Sequence, residues 1–126
     1  MSAALFVCLA LNVGAPDLLE RCAQAEAVRM MAALEIKRSV RVEVHDDGWE
    51  RWPKLKAYTV RREGHEGCAV HLRPSVATDP AVIAHEVCHC ALDYEAMSTT
   101  GFKGVIDGAE RDAREKRAAA CADWLQ

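Results

Sequence analysis

The chain reads as an α+β domain: an N-terminal helix, a small and mostly antiparallel sheet, and two closing helices. Three observations carry this. Apolar residues recur every three or four positions over residues 17–34, they alternate with polar ones over 40–44, and helix-forming composition returns over 80–94 and 110–125. A length of 126 residues suits one domain with its own core and is too short for two.

Residues 1–15 are apolar and carry no charge. They lack the positive flank of a secretory signal and are too short to span a bilayer, so a strand or helix packed on the core is expected there. Over 17–34, Leu18, Leu19, Cys22, Ala25, Val28, Met30, Met31 and Leu34 form an apolar stripe. Asp17 stands at the cap position with Glu20 three residues on, the pattern of a capping box. The Met and Leu stripe reads as core packing and needs no cofactor.

The period then changes. Val40, Val42 and Val44 alternate with Arg41, Glu43 and His45, which predicts a half-buried strand ended by the turn Asp46-Asp47-Gly48. Residues 54–62 and 68–72 predict two more strands around the turn 63–67, and hence a hairpin. A polar break at 75–79 leads to Pro80, suited to the first helical position behind Asp79 or Thr78 as cap. The helix runs to about residue 94. Residues 97–108, with Gly101, Gly104 and Gly108, read as a loop, and 110–125 as the last helix.

Composition excludes some classes. Hydrophobic residues make up 51%, charged ones 28%, and the net charge is −3. Nucleic-acid binding needs a basic face, and the basic residues here are interleaved with acids. No stretch resembles a membrane span. The six cysteines include no C-x-x-C pair, and the chain is long enough to build a core without disulfides. They are expected as buried thiols in a reducing, cytoplasmic setting.

The most informative stretch is His85-Glu86-Val87-Cys88-His89. On a helix, positions four apart share a face, so both imidazoles can reach one metal ion while Glu86 stays free to act as a base. This is the H-E-x-x-H arrangement of zinc metallopeptidases, with zinc as the expected cofactor. Cys88 is not expected to ligate, being offset from His89 by one position, about 100° around the helix.

A catalytic zinc takes three protein ligands and keeps one open position. No histidine follows His89. His45, His65 and His71 lie upstream on expected strands or turns and read as solvent-facing or hairpin residues. A downstream carboxylate remains, and the last helix offers Glu110 and Glu115, 21 and 26 residues beyond His89. Five positions apart, they lie about 140° apart around the helix, so both cannot face one metal. Periodicity does not choose between them.

The segment from Glu115 through Ala118, Cys121, Ala122 and Leu125 resembles the E-x-x-A-x-x-F-A-x-x-L pattern that closes the metal site of ImmA/IrrE-like metallopeptidases. Ala84-His85-Glu86-Val87-Cys88-His89 resembles that family's zinc helix, and the elements follow in the same order across 17–125. The chain departs from the pattern at Cys121, where a bulky apolar residue is usual, and at Arg117, where an acid is common. The resemblance implies His85, His89 and Glu115 as zinc ligands, with Glu110 the alternative third ligand. It implies Glu86 as the general base that activates water at the zinc, and as substrate a regulatory protein in a bacterial or phage setting. Tyr94 reads as packing. An extended peptide could pair with a sheet edge, for which 68–72 is the expected strand. The alternative is a metal-stabilised interaction module without turnover, and the presence of a base beside the ligands argues for the enzyme.

Overall fold

A computed structural model describes residues 2–97 and 108–126. The elements are α1 (Ala3–Leu11), α2 (Leu18–Ala33), β1 (Ser39–Val44), β2 (Ala57–Arg61), β3 (Gly67–Leu72), α3 (Pro80–Leu92) and α4 (Gly108–Leu125). Short 3-10 turns at Pro74–Val76 and Tyr94–Ala96 flank α3. The α+β class expected from the sequence is the class found. Of the loop expected over 97–108, residues 98–107 lie outside the described residues.

The sheet order is β1-β3-β2. β3 pairs with β2 in an antiparallel ladder of five residue pairs and with β1 in a parallel ladder of six. The expected mostly antiparallel sheet is therefore corrected to a mixed one. The cause is the route of residues 45–56. His45 N donates to Leu72 O and Arg73 N donates to Lys56 O, so the chain crosses over the end of β3 and leaves a slot that β3 fills. β3 is thus the central strand, which corrects its expected place at an edge. Its near-continuous burial, Gly67 to Val70 and then Leu72, is what a central strand requires.

The true edges are β1 and β2, and they differ. α2 closes the first: Gln24 Nε2 donates to Val40 O, Val42 N donates to Gln24 Oε1, and Val44 N donates to Glu20 Oε1. Glu20 is therefore engaged on the sheet, and Asp17 makes no side-chain cap, so the expected capping box does not form. The α2 stripe also sits a little off the expected one. Cys22, Ala23, Glu26, Ala27, Met30 and Met31 are buried, whereas Ala25 and Val28 face solvent.

One core lies between the helices and the sheet face bearing Val40, Val42, Cys68, Val70 and Leu72. α3 is its centre, burying Ile83, Ala84, Glu86, Val87, Cys88 and Cys90. α1 is a helix but buries only Leu5, leaving Phe6, Val7 and Leu11 exposed. On the opposite sheet face, Trp49 is buried between His45 and Tyr58, and Tyr58 stacks on His71.

The reduced thiols expected from the sequence are not found. All six cysteines pair, as Cys8–Cys22, Cys68–Cys90 and Cys88–Cys121. These bonds link α1 to α2, β3 to α3, and α3 to α4. Cys88 and Cys90 are two positions apart on α3, about 200° around it, so each reaches a different neighbour. No helix among the described residues is long and apolar enough to cross a membrane.

Candidate metal centre

The start of α3 is fixed as its sequence implies. Asp79 Oδ1 accepts from Ala81 N at 3.0 Å, and Pro80 occupies the first turn. One turn of helix then sets the two imidazoles together, with His85 Nε2 3.2 Å from His89 Nε2. Glu115, on α4, reaches both. Its Oε2 lies 2.8 Å from His85 Nε2 and its Oε1 lies 3.2 Å from His89 Nε2.

These three residues form the one group of His, Cys, Asp or Glu among the described residues whose donor atoms all fall within 4.8 Å of each other. Donors held at ~2.0–2.2 Å around a tetrahedral zinc stand roughly 3.3–3.6 Å apart. The separations here are a few tenths of an ångström shorter, so a small opening would admit the ion. Two imidazoles and a carboxylate also match the donor set of a catalytic rather than a closed structural zinc site. The residues present fit the metal.

Glu110 does not join them; its carboxylate pairs with Arg114 one turn along α4. Of the upstream histidines, His45 Nε2 meets His71 Nδ1 at 2.9 Å on the far side of the sheet, and His65 is exposed in the hairpin turn. Cys88 is committed to its disulfide.

Two supporting residues were not singled out from the sequence. Asp93 lies one turn past His89, and its buried carboxylate Oδ2 sits 2.9 Å from His89 Nδ1. A carboxylate there accepts the Nδ1–H and leaves the Nε2 lone pair facing Glu115. Arg117 on α4 holds the other Asp93 oxygen at 3.4 Å. The i,i+4 spacing of His89 and Asp93 was a legible signal. The second residue, Thr59 on β2, donates its hydroxyl to Glu86 Oε1 at 2.8 Å, a contact that no local pattern announces.

Glu86 meets β2 through Thr59 and is almost fully buried. Burial pushes its carboxyl above the ordinary carboxylate range. His89, the Thr59 hydroxyl and His85 pull it back down, and Glu115 adds to the rise.

Tyr94 acts in packing, as expected, and also closes the hairpin. Its hydroxyl accepts from Gly67 N at 3.1 Å, and the Arg38 guanidinium lies 4.2 Å from its ring centre.

Beside the site runs the second sheet edge. The bonds from Arg62 N to Gly67 O and from Arg73 N to Lys56 O assign the even-numbered residues of β2 to the ladder with β3. The backbone groups of Ala57, Thr59 and Arg61 therefore point outward, and no hydrogen bond among the described residues closes that edge. No protein-family model, curated protein or solved structure matches this chain.

Proposed function

We propose that this protein is a zinc-dependent peptidase of the gluzincin type, a minimal relative in kind of the ImmA/IrrE-like metallopeptidases its motifs resemble. The observation that carries the reading is the convergence of His85, His89 and Glu115 from two helices, with the buried Glu86 beside them. A structural site has no use for that fourth group.

When bound, zinc supplies Lewis acidity that polarises a substrate carbonyl and makes water a better nucleophile. The chain's own residues do the rest. Glu86 takes the proton of the attacking water on its carboxylate and passes it to the leaving amine. Thr59 fixes the Glu86 carboxylate through Oε1, which limits the orientations from which that transfer is made. Asp93 holds the His89 ring in one tautomer. The edge of β2, which no hydrogen bond among the described residues closes, suits an extended peptide, whose backbone would pair with Ala57, Thr59 and Arg61. The substrate is accordingly a protein segment in extended form, with a regulatory partner as the resemblance suggests.

Three disulfides support an oxidising compartment over the cytoplasm, since glutathione and thioredoxin keep cytosolic thiols reduced.

The test uses a mixed peptide library read by mass spectrometry. The zinc-loaded protein should cleave members of the library. Glu86→Gln should retain the metal and lose cleavage by at least a hundredfold, the scale of a missing general base. Undiminished cleavage by Glu86→Gln, or none by zinc-loaded wild type on any member, would contradict the peptidase reading.

A further inference from the structure

Glu115 comes from a helix that packs on α3 along a narrow apolar seam. α4 fully buries only Ala118 and Ala122 among its eighteen residues, Cys121 and Leu125 are partly buried, and Trp124 is exposed. Among the described residues, its ion pairs to α3 beyond those of Glu115 itself come down to Arg117 with Asp93, at 3.4 Å and with a half-exposed arginine. Such pairs contribute little. Against this stands one covalent link, Cys88–Cys121, which leaves α3 at the residue next to the ligand His89 and enters α4 six residues after Glu115. Six residues of helix is a rigid arm of roughly 9 Å.

We infer that the Cys88–Cys121 bond is the positioning element that seats Glu115 against His85 and His89, and that it makes zinc affinity depend on redox state. The inference rests on the zinc reading above and adds to it a regulation of the same site. In the oxidised protein the third ligand is tethered at the site. A thiol or dithiol reductant surrenders two electrons and two protons, ending as its own disulfide, while Cys88 and Cys121 each end as Sγ–H. Among the described residues α4 is then held by the apolar seam of Ala118, Cys121, Ala122 and Leu125 and by the Arg117–Asp93 pair, and Glu115 leaves the donor set for much of the time. Linkage runs both ways, so bound zinc protects the disulfide by the same factor by which the disulfide strengthens zinc binding.

The test is zinc affinity, measured by competition with a chromophoric chelator, on four proteins. These are wild type, Cys88→Ala with Cys121→Ala, Glu115→Ala, and all three substitutions together. A Cys8→Ala, Cys22→Ala protein, remote from the site, serves as control and should bind as wild type does. Removing the disulfide should weaken zinc binding at least tenfold in the wild-type background and leave it unchanged once Glu115 is gone. A purely structural role would weaken both backgrounds alike and would overturn the inference, as would equal affinity in wild type and the cysteine-pair variant. Absence of zinc from the oxidised wild type would instead overturn the zinc reading itself, and the inference with it. A second measurement avoids substitution. Hydrogen exchange in α4 of the metal-free protein should accelerate at least tenfold after treatment with a phosphine reductant, relative to α2. Unchanged protection of α4 would overturn the seating.

Discussion

Asp93 is the residue on which the orientation of the site turns. It touches His89 Nδ1 on one side and Arg117 on the other, and it is buried between them. Removing such a carboxylate leaves the ring free to rotate and to hold its proton on the wrong nitrogen. Asp93→Ala should lower zinc affinity by roughly 10- to 100-fold. The affinity is readable by chelator competition, and a variant that binds zinc as tightly as wild type would contradict the role. A different residue contributes to the response to pH. His71 is held below the ordinary imidazole value of 6.5, first by burial and then by His45, with Glu43 pulling the other way. The groups facing it are Glu43 from β1, His45 from the following loop, itself bonded to the Asp47 carbonyl, and Tyr58 stacked from β2. A depressed folded value means that the neutral form is the one the fold favours. The stability it confers is intact above about pH 6.5 and is lost as pH falls through the folded value. The change in unfolding temperature from pH 7 to 5 should therefore be more destabilising in the wild type than in His71→Gln. Parallel curves for the two proteins would dismiss this account.

Among the elements, α3 and α2 were the most legible and the sheet the least. The first turn of α3 depends on neighbours in sequence, Asp79 and Pro80, and its two imidazoles on a four-residue spacing. Local chemistry fixes both. The parallel pairing of β1 with β3 depends on where residues 45–56 cross, which no periodicity encodes. The central place of β3 did leave a trace in its nearly unbroken apolar run, Cys68-Ala69-Val70 then Leu72. The end of α2 was equally hidden. Glu35 adopts φ 57°, with its N–H on Ala32 O and Ile36 N–H on Met31 O, a paired-bond helix stop that glycine usually provides. A side chain in this left-handed region is strained, so Glu35→Gly should stabilise the protein by about 1 kcal/mol. Thermal unfolding reads the sign directly, and a lower unfolding temperature would count against the argument. α4 shows why Glu115 could not be chosen over Glu110 by spacing alone. Its few buried positions leave its rotation to be set by contacts with α3, above all at Ala118, Cys121 and Ala122.

At the scale of the molecule, the helices form one layer and the sheet the other; one disulfide ties α1 to α2, and two tie β3, α3 and α4 together. The even count of six was visible in the sequence, but pairing is a property of tertiary neighbours and was read wrongly as reduced thiols. The 200° offset of Cys88 and Cys90 on a buried helix was the one local hint. Bonds closing loops of 14, 22 and 33 residues contribute about 3–4 kcal/mol each on the chain-entropy view. Their sum is comparable with the whole stability of a small domain. Reduced protein should therefore unfold well below the oxidised form, and the cysteines should resist alkylation until reductant is added. Coincident unfolding of oxidised and reduced protein would remove the disulfides from the account. The proposed peptidase needs this stiffness, because its three ligands come from two helices of which one is barely buried.

In the proposed peptidase His85, His89 and Glu115 hold one zinc ion. Elemental analysis of the purified, oxidised protein tests it most directly, with Glu115→Ala and Glu110→Ala alongside. Close to one zinc per chain is expected in wild type and in Glu110→Ala, and little in Glu115→Ala. Zinc retained equally by all three proteins, or taken up by none of them after reconstitution, would contradict it.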